Sequence, residues 1–192
     1  MKIKTLFNKN KGYLIRQQIP ERTSYYQILE LIKSGEVERV KPGVYHYNSA
    51  SSNPVMIDID KIVPDSVLCS YSAWAFYDLT VQIPQAFNVA IEKSRKIILP
   101  DYPPITLYYW KRDYWELGIT RTKVNGYTAS IYDLEKSVCD AVKFRNKIGM
   151  ETTAEILRNY LNRKGRNFTQ LMRYAKIMRI EKIMRTYIEI QL

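Results

Sequence analysis

The stretch from Arg22 to Tyr47 constrains the fold more than any other part of the chain, because a helical periodicity gives way within it to the pattern of a hairpin. Three apolar residues recur at helical spacing: Ile28, Leu31 and Ile32. Ser24 and Gln27 fit a capping box at the start of this helix, and Gly35 stands where a left-handed residue would end it. The first half of the stretch is therefore predicted to be one short helix.

The second half has the pattern of a β-hairpin. Val37 and Val40 alternate with charged residues, and Lys41-Pro42-Gly43 provides a turn before the return through Val44 to Tyr47. A helix beside a basic hairpin can enter the major groove of DNA while the hairpin, or wing, contacts the backbone. We therefore predict a winged helix.

The free face of the predicted helix carries side chains that suit contacts with DNA. Gln27 can form two hydrogen bonds with adenine, and Arg22 can bind guanine or phosphate. The alternative is a solvated helix face used in protein contacts. The chain has 30 Lys and Arg against 19 Asp and Glu, a formal net charge of +11, which favours a polyanionic partner. The candidate DNA-binding residues are Arg16, Arg22, Thr23, Ser24, Tyr26, Gln27, Arg39 and Lys41.

The residues before Arg22 are predicted to support this helix. Two small apolar clusters on either side of Gly12 predict two short helices between Met1 and Ile19, and Pro20 marks the turn that follows. A winged-helix domain would then cover residues 1–47. The polar segment 48–53 has the composition of a linker, which leaves residues 54–192 as a second domain.

The second domain begins with mixed patterns. Residues 54–65 suggest a strand or a packed connector, and residues 66–79 suggest a buried helix. Three apolar runs predict strands: Phe87 to Ile91, Ile97 to Leu99 and Ile105 to Tyr109. The pair Asn125-Gly126 between two alternating runs is a strong hairpin signal. We therefore predict a small, mostly antiparallel sheet.

Helical periodicity replaces this pattern from Asp133 onward. Stop signals at Gly149 and Gly165, a capping box of Thr152 and Glu155, and a cap at Asn167 divide the region into helices. The apolar stripe of the last segment changes face, which predicts a break between Met178 and Ile180. The expected fold class is α+β: an N-terminal winged helix-turn-helix, then a mixed domain with a small antiparallel sheet and a C-terminal helical bundle.

Charged residues open the chain without the apolar segment of a signal peptide, and no apolar run is long enough to span a bilayer. We therefore expect a cytoplasmic protein without a membrane partner. The two cysteines, Cys69 and Cys139, lie in apolar surroundings without the spacing of metal ligands, so buried thiols are expected.

An enzyme is the main alternative class. A nuclease would need carboxylates that converge on Mg²⁺, and Asp133, Glu135 and Asp140 are the densest acids of the second domain. Asp133 suits a helix cap, however, and Glu135 suits a first turn, where the helix dipole favours an acid. The one histidine, His46, is predicted to be structural. We therefore expect no enzymatic activity, no catalytic residues, no metal and no cofactor.

Basic residues recur among the C-terminal helices. They predict a second positive patch, able to touch flanking DNA or an RNA partner, and an ordinary solvated surface is the alternative. Its candidate residues are Lys143, Arg145, Arg163, Lys164, Arg166, Arg173 and Lys176.

Four segments carry a family resemblance over nearly the full chain. They are the G-x-V-x-R-V-x-x-G-V-Y stretch from Gly35 to Tyr45, Ser70 to Leu79 with its Ser72-Ala73 pair, Tyr132 to Asp140, and Asn167 to Ala175. In this order and spacing they resemble the AbiEi family of antitoxins, from the type IV toxin–antitoxin systems linked to abortive phage infection in bacteria.

The resemblance implies a winged helix that binds inverted repeats in double-stranded DNA, represses its own operon, and needs both domains for cooperative binding. It also implies a second domain that counters a nucleotidyltransferase-like AbiEii toxin without forming a stable complex with it. A monomer in solution is compatible with this mode of binding. The alternative is a winged-helix repressor that senses a small ligand through the mixed domain and has no toxin.

Overall fold

A computed structural model gives the fold of the chain and describes residues 3–48, 57–124 and 126–191. The chain divides into two compact units. The first comprises Met1–Asp65, Lys96–Pro104 and Lys123–Ala129, and the second comprises Ser66–Arg95, Ile105–Thr122 and Ser130–Leu192. Of the predicted linker, all but Asn48 lies outside the described residues. The fold is α+β, with antiparallel strand pairs and helices towards the C-terminus, as predicted.

Three antiparallel strands and two main helices make up most of the first unit. In chain order its elements are α1 (Ile3–Lys9), β1 (Tyr13–Ile15), a 3-10 turn (Arg16–Gln18), α2 (Arg22–Lys33), β2 (Val37–Lys41), β3 (Val44–Tyr47) and the single-turn helix α3 (Ile59–Ile62). The sheet order is β1-β3-β2. Strand β3 is therefore central, with Leu14 and Arg39 both opposite Tyr45.

The core of the first unit forms between α1, α2 and one face of this sheet. Phe7, Leu14 and Ile28 are fully buried there, and Val37 and Tyr45 are nearly so. Burial of the face of α2 that bears Ile28 leaves its opposite face exposed to solvent, as the apolar spacing predicted.

Two predictions about the first unit are wrong. The segment from Leu14 to Ile19 is not a second helix but strand β1 followed by the 3-10 turn. Gly12, at a φ of +87°, turns the chain away from α1, and the next three residues pair with β3. Ser24 does not cap α2 either, because the helix begins at Arg22 with Glu21 at the cap position and no capping side chain.

A five-stranded sheet lies mostly in the second unit. Its strands are β4 (Val67–Leu68), β5 (Phe87–Glu92), β6 (Ile105–Trp110), β7 (Ile119–Val124) and β8 (Tyr127–Tyr132), in the order β6-β5-β4-β8-β7. The end of β7 and the start of β8 are assigned to the first unit. The pair β4–β5 is antiparallel, whereas β5–β6 and β4–β8 are parallel, a feature that the sequence analysis did not anticipate. The predicted hairpin joins β7 to β8 at Gly126, and Asn125 lies outside the described residues.

Among the residues that the structure describes, the helices of the second unit are α4 (Ser70–Phe76), α5 (Arg112–Trp115), α6 (Leu134–Ile148), α7 (Met150–Leu161), α8 (Phe168–Ile177) and α9 (Glu181–Gln191). The caps predicted at Asp133 and Asn167 are confirmed, since each side chain accepts a backbone N–H three residues on. The predicted break between α8 and α9 is also confirmed, and Arg179 within it has a φ of +57°.

Several details of the second domain differ from prediction. The run Ile97 to Leu99 forms no strand, and residues 59–62 form the helical turn α3 where a strand was one alternative. Helix α7 starts at Met150 without a capping side chain, so Thr152 and Glu155 are not a capping box. It ends at Leu161, four residues before Gly165. None of the helices in the described part of the chain has the length and apolar character that a bilayer crossing needs.

Candidate nucleic-acid interface

The exposed face of α2 carries most of the predicted DNA-binding residues. Arg22, Thr23 and Gln27 are exposed, Tyr26 is 52% exposed, and Ser24 is half-buried. Because α2 begins at Arg22, all five lie in its first two turns. The helix thus brings these residues together at its N-terminal end, where backbone N–H groups and the helix dipole favour an anion.

The hairpin holds two further candidates. Arg39 is exposed on β2 and lies opposite Tyr45, while Lys41 is half-buried and lies opposite Val44 after a bulge. The Pro42-Gly43 turn follows, with Gly43 at a φ of +80°. The carbonyl oxygen of Gly43 accepts a hydrogen bond of 2.7 Å from the backbone N–H of Arg16, which fixes this turn to the 3-10 turn before α2.

Two arginine–tyrosine stacks lie at the start of α2. The guanidinium carbon of Arg16 is 5.0 Å from the ring centroid of Tyr25, and that of Arg22 is 5.8 Å from the centroid of Tyr26. The two tyrosine rings are themselves 6.5 Å apart. Both separations between guanidinium and ring lie within the range of a cation–π contact.

Tyr45 packs against Tyr25, the aromatic partner in the first stack. Its ring meets that of Tyr25 edge to face at 6.4 Å, and the Tyr45 side chain is almost wholly buried. Burial raises the pKa of the Tyr45 hydroxyl, and its hydrogen bond with Tyr25 raises that pKa further. The sequence did not point to Tyr25 as part of the candidate surface, and this arrangement was missed. No spacing rule connects Arg16 to Tyr25, because the intervening chain is not one continuous helix.

Arg16, Arg22 and Arg39 are exposed around the start of α2, with Glu21 at its cap position and Glu38 next to Arg39 in β2. Within the described ranges, no carboxylate forms an ion pair with Arg16, Arg22 or Arg39. Glu30 pairs with Lys33 at 2.8 Å in the last turns of the helix. The three guanidinium groups therefore keep their charge available for an anionic partner.

His46 occupies a structural position. Its ring centroid is 4.4 Å from that of Tyr13, and its Nδ1 is 3.1 Å from the side-chain oxygen of Asn48. Burial lowers the pKa of His46, although the contact with Asn48 acts in the opposite direction. The ring contributes to the packing between β1 and β3.

The C-terminal basic residues divide into two groups. Lys143 donates to the carbonyl of Met178 at 3.0 Å, and Arg163 donates to the carbonyl of Tyr77. Arg145 likewise donates to a carbonyl of its own helix. The others are exposed to solvent: Lys164, Arg166, Arg173 and Lys176. A second positive patch would therefore rest on these four exposed residues.

The acids considered for catalysis each have protein partners. Asp133 caps α6 and also accepts a hydrogen bond of 2.8 Å from the hydroxyl of Tyr174. Glu135 accepts the backbone N–H of Asn167 at 2.9 Å. Within residues 3–48, 57–124 and 126–191, no group of three or more histidine, cysteine or acidic side chains is arranged to hold a metal ion. Cys69 and Cys139 are buried free thiols.

An open cleft of about 290 Å³ in the second unit bears on the ligand-sensing alternative. It lies beside the segment that leads into β5, and most of its lining groups are polar and uncharged. They include Tyr71, Gln82, Gln85, Asn88 and Thr106. Its size is near the lower limit for small-molecule sites.

Comparison of the sequence with models of known protein families gives no match, and comparison with curated protein sequences gives no match either.

Proposed function

We propose that this chain is an antitoxin of the AbiEi type, whose first unit binds the operator of its own operon and whose second unit counters a nucleotidyltransferase-like toxin. The DNA-binding half of the proposal depends on one observation. The first two turns of α2 expose a polar face that carries no acid, next to a hairpin with Arg39 on its surface.

The topology of the first unit supports a winged helix. A winged helix has three helices and a sheet in which the strand before the second helix pairs with the last strand. Here β1 pairs with β3, and the sheet order is β1-β3-β2. The 3-10 turn Arg16–Gln18 would take the place of the second helix. Helix α2 is then the recognition helix, and the turn between β2 and β3 is the tip of the wing.

The side chains on α2 have the chemistry for both kinds of DNA contact. Gln27 presents an amide that can pair with adenine, and Thr23 can bind a base or a phosphate. Arg39 on the hairpin would contact the backbone of the same duplex. Base readout and phosphate binding would thus come from neighbouring parts of one surface.

The antitoxin half of the proposal rests on the family resemblance. Ser70 to Leu79 includes α4, Tyr132 to Asp140 spans the end of β8 and the first turns of α6, and Asn167 to Ala175 forms the start of α8. Half of these residues are buried in the second unit. The resemblance therefore concerns the fold of this unit, and we propose no toxin-binding surface.

Fluorescence anisotropy with duplex DNA from the region upstream of the gene tests operator binding. The double variant Arg22→Ala/Gln27→Ala should bind more weakly than the unchanged protein by at least about tenfold, since each contact is worth about 1–3 kcal/mol. Lys33→Ala is the matched control, because Lys33 is exposed on the last turn of the same helix. Equal affinity of the double variant and the unchanged protein would remove α2 from the interface.

Co-expression with the downstream gene tests the antitoxin role. The full chain should relieve the growth arrest that the downstream protein causes. The Arg22→Ala/Gln27→Ala variant should relieve it equally when both genes are under a foreign promoter, because only repression would need α2. Growth arrest that persists with the full chain would refute the antitoxin role.

A ligand-sensing repressor is the second candidate, and the polar cleft beside β5 favours it. Native mass spectrometry of the purified protein would detect a bound small molecule. Loss of DNA affinity on adding that molecule, together with no effect of the chain on its downstream gene, would favour the ligand sensor over the antitoxin.

A further inference from the structure

The two arginine–tyrosine stacks at the start of α2 suggest different roles for the arginines and the tyrosines of the proposed DNA-binding surface. Arg16 lies on Tyr25 and Arg22 lies on Tyr26, and the two rings are neighbours. Tyr25 is in turn held by the buried ring of Tyr45. Each arginine therefore has a specific aromatic support, and the first support is anchored in the core of the unit.

A guanidinium group that is held against an aromatic ring is pre-positioned to bind one kind of ligand, a phosphate. The guanidinium N–H groups that the ring contact does not use can match the two oxygens of a phosphate. A flexible side chain loses less conformational freedom on binding when it is already held in place. Because no carboxylate pairs with Arg16 or Arg22 in the described part of the chain, these N–H groups need no ion pair to be broken first.

The backbone positions of the two arginines favour phosphate over base contacts. Arg16 precedes α2 and is bound through its N–H to Gly43 in the hairpin turn, so it lies where helix and hairpin meet. Arg22 is the first residue of α2, where the helix dipole attracts a phosphate.

We infer that Tyr25 and Tyr26 are positioning residues that hold Arg16 and Arg22 for contacts with backbone phosphates of duplex DNA, and that neither arginine reads a base. This inference rests on the proposed DNA-binding function. It also resolves the choice between guanine and phosphate that the sequence left open for Arg22, and it gives the tyrosines a role in affinity but not in sequence preference.

Salt-dependent binding measurements test the inference with the full chain. The probes are the duplex from upstream of the gene and a scrambled duplex of the same length and composition. Arg16→Gln should weaken binding to both duplexes by a similar factor, about tenfold. It should also reduce the slope of log affinity against log salt concentration by about 0.9, the loss of one phosphate contact. Arg22→Gln should behave in the same way.

The tyrosine variants separate positioning from direct contact. Tyr25→Leu removes the stack and should weaken binding to both duplexes by about threefold, whereas Tyr25→Phe keeps the ring and should restore affinity. Tyr25→Leu should add no further loss in an Arg16→Gln background, because the tyrosine acts through the arginine. The same pair of substitutions at Tyr26, combined with Arg22→Gln, should give the same pattern.

Two controls test whether binding is lost merely through a lost positive charge or through loss of the fold. Lys33→Gln removes one positive charge from the same helix without removing a stack, so it should leave the ratio between the two duplexes and nearly all of the affinity unchanged. Thermal unfolding identifies variants that lose binding through loss of fold. If Tyr25→Leu fails to fold, the comparison of Arg16→Gln with Arg16→Lys takes its place, since lysine keeps the charge but cannot form the planar stack.

The outcomes distinguish the inference from the proposed function. Loss of affinity for the upstream duplex alone, or full additivity of Arg16→Gln and Tyr25→Leu, would overturn the inference while DNA binding itself stands. Absence of any DNA binding by the unchanged protein would overturn both.

Discussion

The ammonium group of Lys136 lies 2.6 Å from a carboxylate oxygen of Asp140, and neither side chain is accessible to solvent. Both residues lie on α6, one turn apart, within the core of the second unit. The ammonium group is also 3.9 Å from the ring centroid of Tyr132 and 4.8 Å from that of Trp110. The charge of Lys136 is thus compensated by one carboxylate and two aromatic faces.

Removal of one partner of this pair should be costly. We expect Asp140→Asn to lower the free energy of unfolding of the second unit by about 3–5 kcal/mol, because it leaves a buried ammonium group without its counter-charge. The double variant Lys136→Met/Asp140→Leu should recover most of that loss, since apolar side chains of similar volume need no counter-charge. Urea unfolding followed by circular dichroism measures both values. A loss below 1 kcal/mol for Asp140→Asn would contradict the importance of the pair.

Gly118 should be intolerant of any side chain, for two reasons that can be separated. Its φ is +69°, and a Cβ atom there would lie 2.8 Å from the Cβ of Lys136 and 3.0 Å from both carboxylate oxygens of Asp133. Gly118→Ala should cost about 2–4 kcal/mol of stability, from backbone strain plus overlap. Gly165→Ala is the matched control, because Gly165 has a φ of +83° but open space around it. The control should cost only about 1 kcal/mol. Equal losses for the two variants would show that the overlap at Gly118 relaxes freely.

Glu155 should determine the local stability of the exposed segment after α4. Its two carboxylate oxygens accept hydrogen bonds from the Thr80 hydroxyl at 3.0 Å and from the Val81 N–H at 2.9 Å. Val81 and Ile83 are 88% and 81% exposed. These apolar side chains therefore face solvent from a segment that Glu155 of α7 holds in place.

Glu155→Ala should therefore accelerate cleavage by thermolysin next to these apolar residues by about tenfold, since hydrogen bonds to a charged group are worth about 1.5–3 kcal/mol. Glu151→Ala, one turn earlier on the same helix and exposed, should leave the rate unchanged. Mass spectrometry of the fragments locates the cut. Equal rates for both variants would show that Glu155 does not restrain the segment.

The sequence predicts those elements whose signals are local. Helix α2, the hairpin after it and the break between α8 and α9 all follow from residues that are close in the chain. Strand β1 could not be recognised, because its pairing partners in β3 lie about thirty residues away. Glu155 was misassigned for the same reason: the spacing to Thr152 matched a local motif, whereas its actual partners are Thr80 and Val81.

The candidate interface shows the same limit. The exposure of Tyr26 and Gln27 follows from helical periodicity alone, once the buried stripe is known. The stack of Arg16 on Tyr25 depends on the 3-10 turn and on the hydrogen bond from Arg16 to Gly43, and neither has a sequence signature. The parallel pairing of β5 with β6 was missed because parallel neighbours are usually joined by a helix, and the connection between these two strands contains none.

His46 should make the stability of the first unit depend on pH in a defined window. Burial against Tyr13 lowers the pKa of His46 below its usual value of 6.5. In the unfolded chain the imidazole therefore binds a proton at a higher pH than it does in the folded protein. The free energy of unfolding should then fall as the pH drops below about 6.5, by at most about 1.4 kcal/mol per pH unit, and should not depend on His46 above that value.

The variant His46→Asn isolates this effect, because asparagine does not titrate and His46 is the one histidine of the chain. Asp133 and Asp140 act in the opposite sense, since burial raises their pKa values and the folded protein then holds their protons more tightly than the unfolded chain. Their contribution is common to both proteins. Urea unfolding between pH 5 and 8 should therefore give two stability curves that differ by a constant above pH 6.5 and converge or cross below it as the unchanged protein loses stability. Curves that stay parallel down to pH 5 would show that protonation of His46 does not change the free energy of unfolding.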